Sequence, residues 1–197
     1  MKQKLILPLL LLSLLLSMGN LQKRREALAD RIAPSILRFH ILANSDSKTD
    51  QAVKLEIRSF LLDYIRDHLP ESADSKKEVS GWLFKNKTSL ETAASRFLAE
   101  KQIPYSAALS LERTWFPTRV YDDLVIPCGT YDAARLILGK GKGHNWWCMI
   151  YPSLCFEDAL HPAMTEKGGK KLKGVLSDEA YDSILQKGEL SIGFLWF

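Results

Sequence analysis

The feature that most constrains this chain is a change of hydrophobic period near Tyr105. Before it, apolar residues recur at helical spacing; after it, they alternate. Val53, Ile57, Phe60, Leu61, Tyr64 and Ile65 share one helix face, which opens at a Ser47-x-x-Asp50 capping signature and stops at Pro70. Ser75 with Glu78 repeats the signature before Val79, Trp82 and Leu83, and Thr88 with Glu91 does so before Ala94, Phe97 and Leu98, with Pro104 closing the helical region. Beyond Tyr105, Leu109, Leu111 and Trp115 fall on one face of a strand while Ser110, Glu112 and Thr114 fall on the other. The sequence predicts further strands over 123–126, 131–138, 145–151 and 189–197, and one before the helices over 36–43, where the residues are apolar and β-tolerant. A first helix spans 21–33 and ends at Pro34, and Ser177 caps a short last helix that Gly188 terminates. This order predicts an α+β fold: N-terminal helices packed on a mostly antiparallel sheet, with the helices largely on one side.

The first residues add a compartment. Lys2 and Lys4 precede an apolar run from Leu5 to Met18, which is the layout of a signal peptide. About 14 residues at 1.5 Å each give a helix near 21 Å, short of the roughly 30 Å of a bilayer core. Ser17 and Gly19 are small residues before a cut at Asn20. Residues 1–19 therefore read as a signal peptide or an uncleaved anchor, and 20–197 as one exported α+β domain. The basic run Lys23-Arg24-Arg25 works against export of an anchored form. Without the two lysines of 1–19, 25 basic residues face 23 acidic ones, a net of +2. That balance argues against nucleic acid as a partner and leaves only transient membrane association through the N-terminus.

An exported chain with three cysteines is expected to pair two. Cys148 and Cys155 flank the turn-forming Tyr151-Pro152-Ser153, and closing that loop would stabilise the fold by about 2.5 kcal/mol on the chain-entropy model. Cys128 is then the odd thiol, in a hairpin turn at Pro127-Cys128-Gly129.

Motifs for chemistry are thin. His40, His68, His144 and His161 form no zinc-spaced set, and no metal or small-molecule cofactor is expected. Gly139-Lys140-Gly141-Lys142-Gly143 lacks the Lys-Ser/Thr helix start of a phosphate loop and reads as a β-turn, and 166–173 (EKGGKKLK) reads as a solvated loop. Cys148 near His144 invites a cysteine-peptidase reading, which oxidation to a disulfide would silence. His40 stands beside Phe39 in a strand, and Asn44 and Asp46 lie at that strand's end, where sites gather. Trp146 and Trp147 point to opposite sheet faces, one to the core and one outward as a contact. His40, Asn44, Asp46, Trp146 and Trp147 are thus the candidate partner contacts. No catalytic residue is assigned.

The stretch Arg38 to Ser47 (RFHILANSDS), Asp50-Gln51-Ala52, Lys54-Leu55, Phe116-Pro117-Thr118, Tyr121, Asp123-Leu124, Pro127, Gly129, Tyr131 and the block Gly139 to Phe156 resembles the stage II sporulation protein R family of endospore-forming bacteria. Cys128 departs from it, standing where a small residue such as alanine is expected. The resemblance implies a non-enzymatic protein made in the forespore and exported into the space between the two cells' membranes. There it would activate a membrane-embedded aspartic peptidase of the mother cell, which removes the pro-segment of the sigma-E transcription factor. The competing class is an extracytoplasmic cysteine peptidase or cell-wall hydrolase.

Overall fold

The computed structural model describes residues 3–121, 123–152 and 166–185. A long helix α1 (Gln3–Ile32) leads through a 3₁₀ turn at Ala33–Ser35 into β1 (Leu37–Leu42). Three helices follow, α2 (Lys48–His68), α3 (Lys76–Lys85) and α4 (Lys87–Glu100). The strands are β2 (Ala107–Phe116), β3 (Arg119–Tyr121), β4 (Leu124–Ile126), β5 (Gly129–Leu138) and β6 (Asn145–Tyr151), and α5 (Glu166–Val175) and α6 (Asp178–Ile184) come last. The strand expected over 189–197 lies outside the described residues.

The main sheet runs β2-β5-β1-β6, with β3 and β4 forming a separate two-stranded ribbon. β2 with β5 and β6 with β1 are antiparallel, whereas β1 and β5, the central pair, run parallel. The α+β expectation and its mostly antiparallel sheet therefore hold. The parallel pair follows from connectivity: three helices intervene after β1, which gives the chain room for the crossover that a parallel neighbour needs.

Each face of the sheet has its own core. Leu37, Phe39 and Ile41 of β1, with Ala134, Leu136 and Leu138 of β5, meet Val53, Ile57 and Leu61 of α2, Val79 and Leu83 of α3, and Leu90, Ala94 and Leu98 of α4. Each fully buried Leu or Ile contributes about 2 kcal/mol of transfer free energy, so this face holds the N-terminal helices on the sheet. The other face is also covered. Ala29 and Ile32 of α1, Leu172 of α5 and Ala180 and Ile184 of α6 pack with Phe116, Tyr121, Leu124, Tyr131 and Met149. Helices thus lie on both sides of the sheet: α1 and α6, expected as helices, pack here, and 166–173, expected as a solvated loop, lies within helix α5, because Leu172, Val175 and Leu176 recur at helical spacing toward that core.

Capping follows the sequence in three cases of four, including Ser177, whose Oγ accepts from the Ala180 amide at 3.2 Å. Ser47 Oγ accepts from the Asp50 amide at 3.1 Å, and Ser75 with Glu78 forms a complete reciprocal box. Thr88 and Glu91 do not form one. The helix begins two residues earlier, with Asn86 at its N-cap, and the Glu91 carboxylate instead accepts from the Leu109 amide at 2.8 Å, pinning α4 to β2. Pro127-Cys128 is likewise not a hairpin turn: it links the β3–β4 ribbon to the main sheet, where Cys128 is a buried free cysteine.

Candidate functional site

The corner at the end of β1 is built around one carboxylate. Asp50, in the first turn of α2, accepts from the Tyr105 hydroxyl at 2.6 Å, the Ser45 hydroxyl at 2.5 Å and the Asn44 amide at 2.9 Å. Burial is the largest single influence on its pKa and works upward, but the donors from Ser45, Tyr105 and Asn44 together outweigh it and hold the carboxyl below its ordinary value. Asn44 is spent on this scaffold, because its Oδ1 also accepts from the Lys140 amide at 3.0 Å.

The glycine-rich turn between β5 and β6 closes over the corner. The Lys142 and Gly143 amides donate to the carbonyls of Asn44 and Ala43 at 3.2 and 2.9 Å. Gly139 has φ +53°, and a Cβ at Gly143 would sit 2.1 Å from the Ser45 carbonyl oxygen, so the approach requires glycine. This turn is the β-turn that the sequence suggested; its basic residues frame a backbone contact and no phosphate cradle.

Asp46 projects outward and is capped by His144, whose amide and Nδ1 lie 2.6 and 2.5 Å from Asp46 Oδ1. The amide hydrogen bond, then the ring, hold the Asp46 carboxyl below its ordinary value. Behind the pair, the buried Lys54 ammonium donates to Gln51 Oε1 at 2.6 Å and to the His144 carbonyl at 3.0 Å, and burial lowers its pKa. The surface of the corner is therefore Asp46 and His144, on a rigid base of Asn44, Ser45, Asp50, Lys54 and Tyr105. His144, Asp50 and Tyr105 are not among the contacts expected from the sequence, although Asp50 reads as a cap and His144 as a neighbour of Cys148. The cue for Asp50 was present, since its capping position fixed where it would stand.

The other expected contacts separate. Trp146 turns to the α2 side, edge-on to Phe39 at 6.1 Å with the Arg58 guanidinium 5.2 Å above its ring. Trp147 turns to the opposite face and stacks on His40 at 3.6 Å, with Phe116 and Arg119 at 4.8 and 5.6 Å. The opposite-face placement is as expected, but both rings are half-buried. His40 is only 4% exposed beneath Trp147, and burial, followed by the charge of Arg135, lowers its pKa to about 3. The aromatics that do face solvent are Trp115 near the end of β2 and Phe84 in α3, 51% and 72% exposed.

Cys148 is fully buried in β6, and Cys155 lies outside the described residues. His161 lies outside them too. Among the described residues no three His, Cys, Asp or Glu side chains converge as a metal site, and no helix is long and apolar enough to cross a membrane.

A single α+β domain with a hydrogen-bonded corner at the end of its central strand defines the class of protein. The chain belongs to the stage II sporulation protein R family, whose pattern it matches over residues 33–161. It is 30% identical over 173 residues to the stage II sporulation protein R of Bacillus subtilis (strain 168), covering 80% of this chain and 70% of that protein. No solved structure matches it significantly. The matched span contains β1, the corner, the glycine-rich turn and both tryptophans.

Proposed function

We propose that this chain is an exported sporulation signal, carried from the forespore into the space between the two cells' membranes. There it activates the membrane-embedded aspartic peptidase of the mother cell, and so drives processing of pro-sigma-E. The family match over 33–161 carries this reading. Activation requires only that the domain bind the active state of the peptidase better than the inactive one, and about 3 kcal/mol of preference shifts the ratio roughly 150-fold. Residues 1–19 act as the export signal or an uncleaved anchor. A cut before Asn20 would leave the part of α1 that packs on the sheet, Leu28, Ala29 and Ile32, in the mature domain.

The proposed partner contacts are the Asn44–Asp46 corner and the two tryptophans on opposite faces of β6, Trp146 and Trp147. Asn44 and His40 act from behind it, as the groups that hold the loop and the Trp147 ring. Single alanine changes at Asp46, Trp146 and Trp147 are expected to lower pro-sigma-E processing while export stays normal. Wild-type processing in all three would exclude this surface.

Cys148 and Cys155 form the disulfide. In support, among the described residues Cys128 is free and Cys148 is not. Intact mass of the exported protein should rise by about 2 Da on reduction, from two added hydrogens; an unchanged mass removes the bond. The competing peptidase or hydrolase reading needs an accessible Cys148 thiol, and its full burial in β6 counts against that.

A further inference from the structure

Among the described residues, the second face of the sheet carries a row of polar side chains whose donors are only partly filled. The register places Ser110, Arg135, His40 and Trp147 side by side across β2, β5, β1 and β6. Arg38 lies two residues before His40 on the same face. Arg38 is fully buried in an aromatic box, its guanidinium 4.6, 5.4 and 5.9 Å from the rings of Phe116, Tyr131 and Tyr121. It makes one hydrogen bond, to the Tyr121 hydroxyl at 3.2 Å, and its Nε and Nη1 have no partner. Both ring nitrogens of His40, the Ser110 hydroxyl and the Nε atoms of Arg119 and Arg135 are buried and unpartnered as well.

Charge makes the pattern specific. Three guanidinium groups gather here, and among the described residues the carboxylate paired with them is Glu112, on Arg135 Nη1, with no ion pair to Arg38 or Arg119. Buried polar groups are ordinarily hydrogen-bonded, and a buried cation is ordinarily paired. A contiguous set rich in unfilled donors that carries excess positive charge is complementary to a group made of acceptors with negative charge.

The geometry points to a binding site for an oxyanion, a carboxylate or a phosphate group, between Arg38, His40, Arg119 and Arg135. Arg38 supplies the buried charge and a fixed fork, held by its aromatic box and by Tyr121. Arg119, half-buried on the short β3 strand and lying over Trp147, would be the first of the set that an anion meets. Ser110 and Arg135 Nε close the far side. The site rests on this face and not on the Asp46–His144 corner, although it shares His40 and its neighbour Trp147 with the proposed partner contacts.

The test is titration calorimetry of the full chain with inorganic phosphate, with acetate and with a tetraglutamate peptide, at constant ionic strength set by chloride. Saturable binding of at least one probe is expected, about tenfold weaker in Arg119→Ala, which removes one charge-assisted contact at the rim. Ser110→Ala should weaken it less, and circular dichroism would confirm that both variants are folded. Tighter binding of phosphate would assign the site to a free phosphate group, and of the peptide to an acidic segment of a protein. Absence of saturable binding for all three probes would overturn the proposal, leaving the orphaned donors to water. So would binding that both variants leave unchanged, because the anion would then sit elsewhere.

Discussion

The two faces of β1 hold polar groups under opposite conditions. At the corner, one buried carboxylate, Asp50, receives three side-chain donors, and the loop around it is tied by backbone hydrogen bonds. On the second face, Arg38 and His40 are at least as deeply buried, yet their donors are largely unfilled. The difference teaches how to read buried polarity. A saturated hub specifies a loop conformation and presents its neighbours, here Asp46 and His144, without itself being available. An unsaturated cluster costs stability and persists for what it can bind.

Removing the hub should have the largest effect. Asp50→Ala strands the donors of Asn44, Ser45 and Tyr105 and is expected to cost about 3 kcal/mol in urea unfolding. A loss below about 1 kcal/mol would mean that water replaces the carboxylate and that the corner is not a rigid base. Gly143→Ala strikes the same loop through the Ser45 carbonyl and should cost about 2 kcal/mol, with the damage confined to the corner in amide exchange.

Acid separates the faces. His40 is neutral in the fold, with its pKa lowered from 6.5 to about 3, so the unfolded chain binds the extra proton between those values. Its contribution is complete above pH 6.5 and is lost as pH falls toward 3, with a slope of up to about 1.4 kcal/mol per pH unit. Asp50 is lowered from 3.8, so its contribution is present above that value and is lost only as pH falls through the lower folded value. His40→Leu should flatten the stability curve between pH 6 and 4 and leave the drop below it. An unchanged curve would show that His40 is solvated.

The smallest effect is expected where an intuitive reading of a buried arginine would put a large one. Arg38→Met replaces an unpaired cation in an aromatic box by an apolar chain, and should be neutral or stabilising by about 1 kcal/mol. A loss above about 2 kcal/mol would place a counter-ion on Arg38 and erase the contrast between the faces.

Much of this was legible from local pattern. Ser47 and Ser75 announced their helices, the alternation after Tyr105 announced β2, and the β1 stretch and the corner beyond it carried the family likeness. What was not legible depended on distant partners. Glu91 reads as a capping residue beside Thr88, but it serves Leu109 on another element. Asp46 gave no sign of His144, 98 residues away in sequence. His40 reads as a contact until β6 lays Trp147 over it. In 166–173 the glycine pair and the lysines suggested a loop, while the helical spacing of Leu172 and Leu176 carried the true signal. Leu109 is buried as its period implies, but Trp115, in the same alternation, remains exposed on β2.

The most direct measurement is reconstitution in a non-sporulating bacterial host. The chain would be expressed with its own N-terminus, and again without residues 1–19, beside the membrane-embedded peptidase and pro-sigma-E, and pro-segment removal followed by immunoblot. Processing with the exported form and none with the retained form is the predicted result. Equal processing in both, or none in either with a peptidase shown to be competent, would contradict the account.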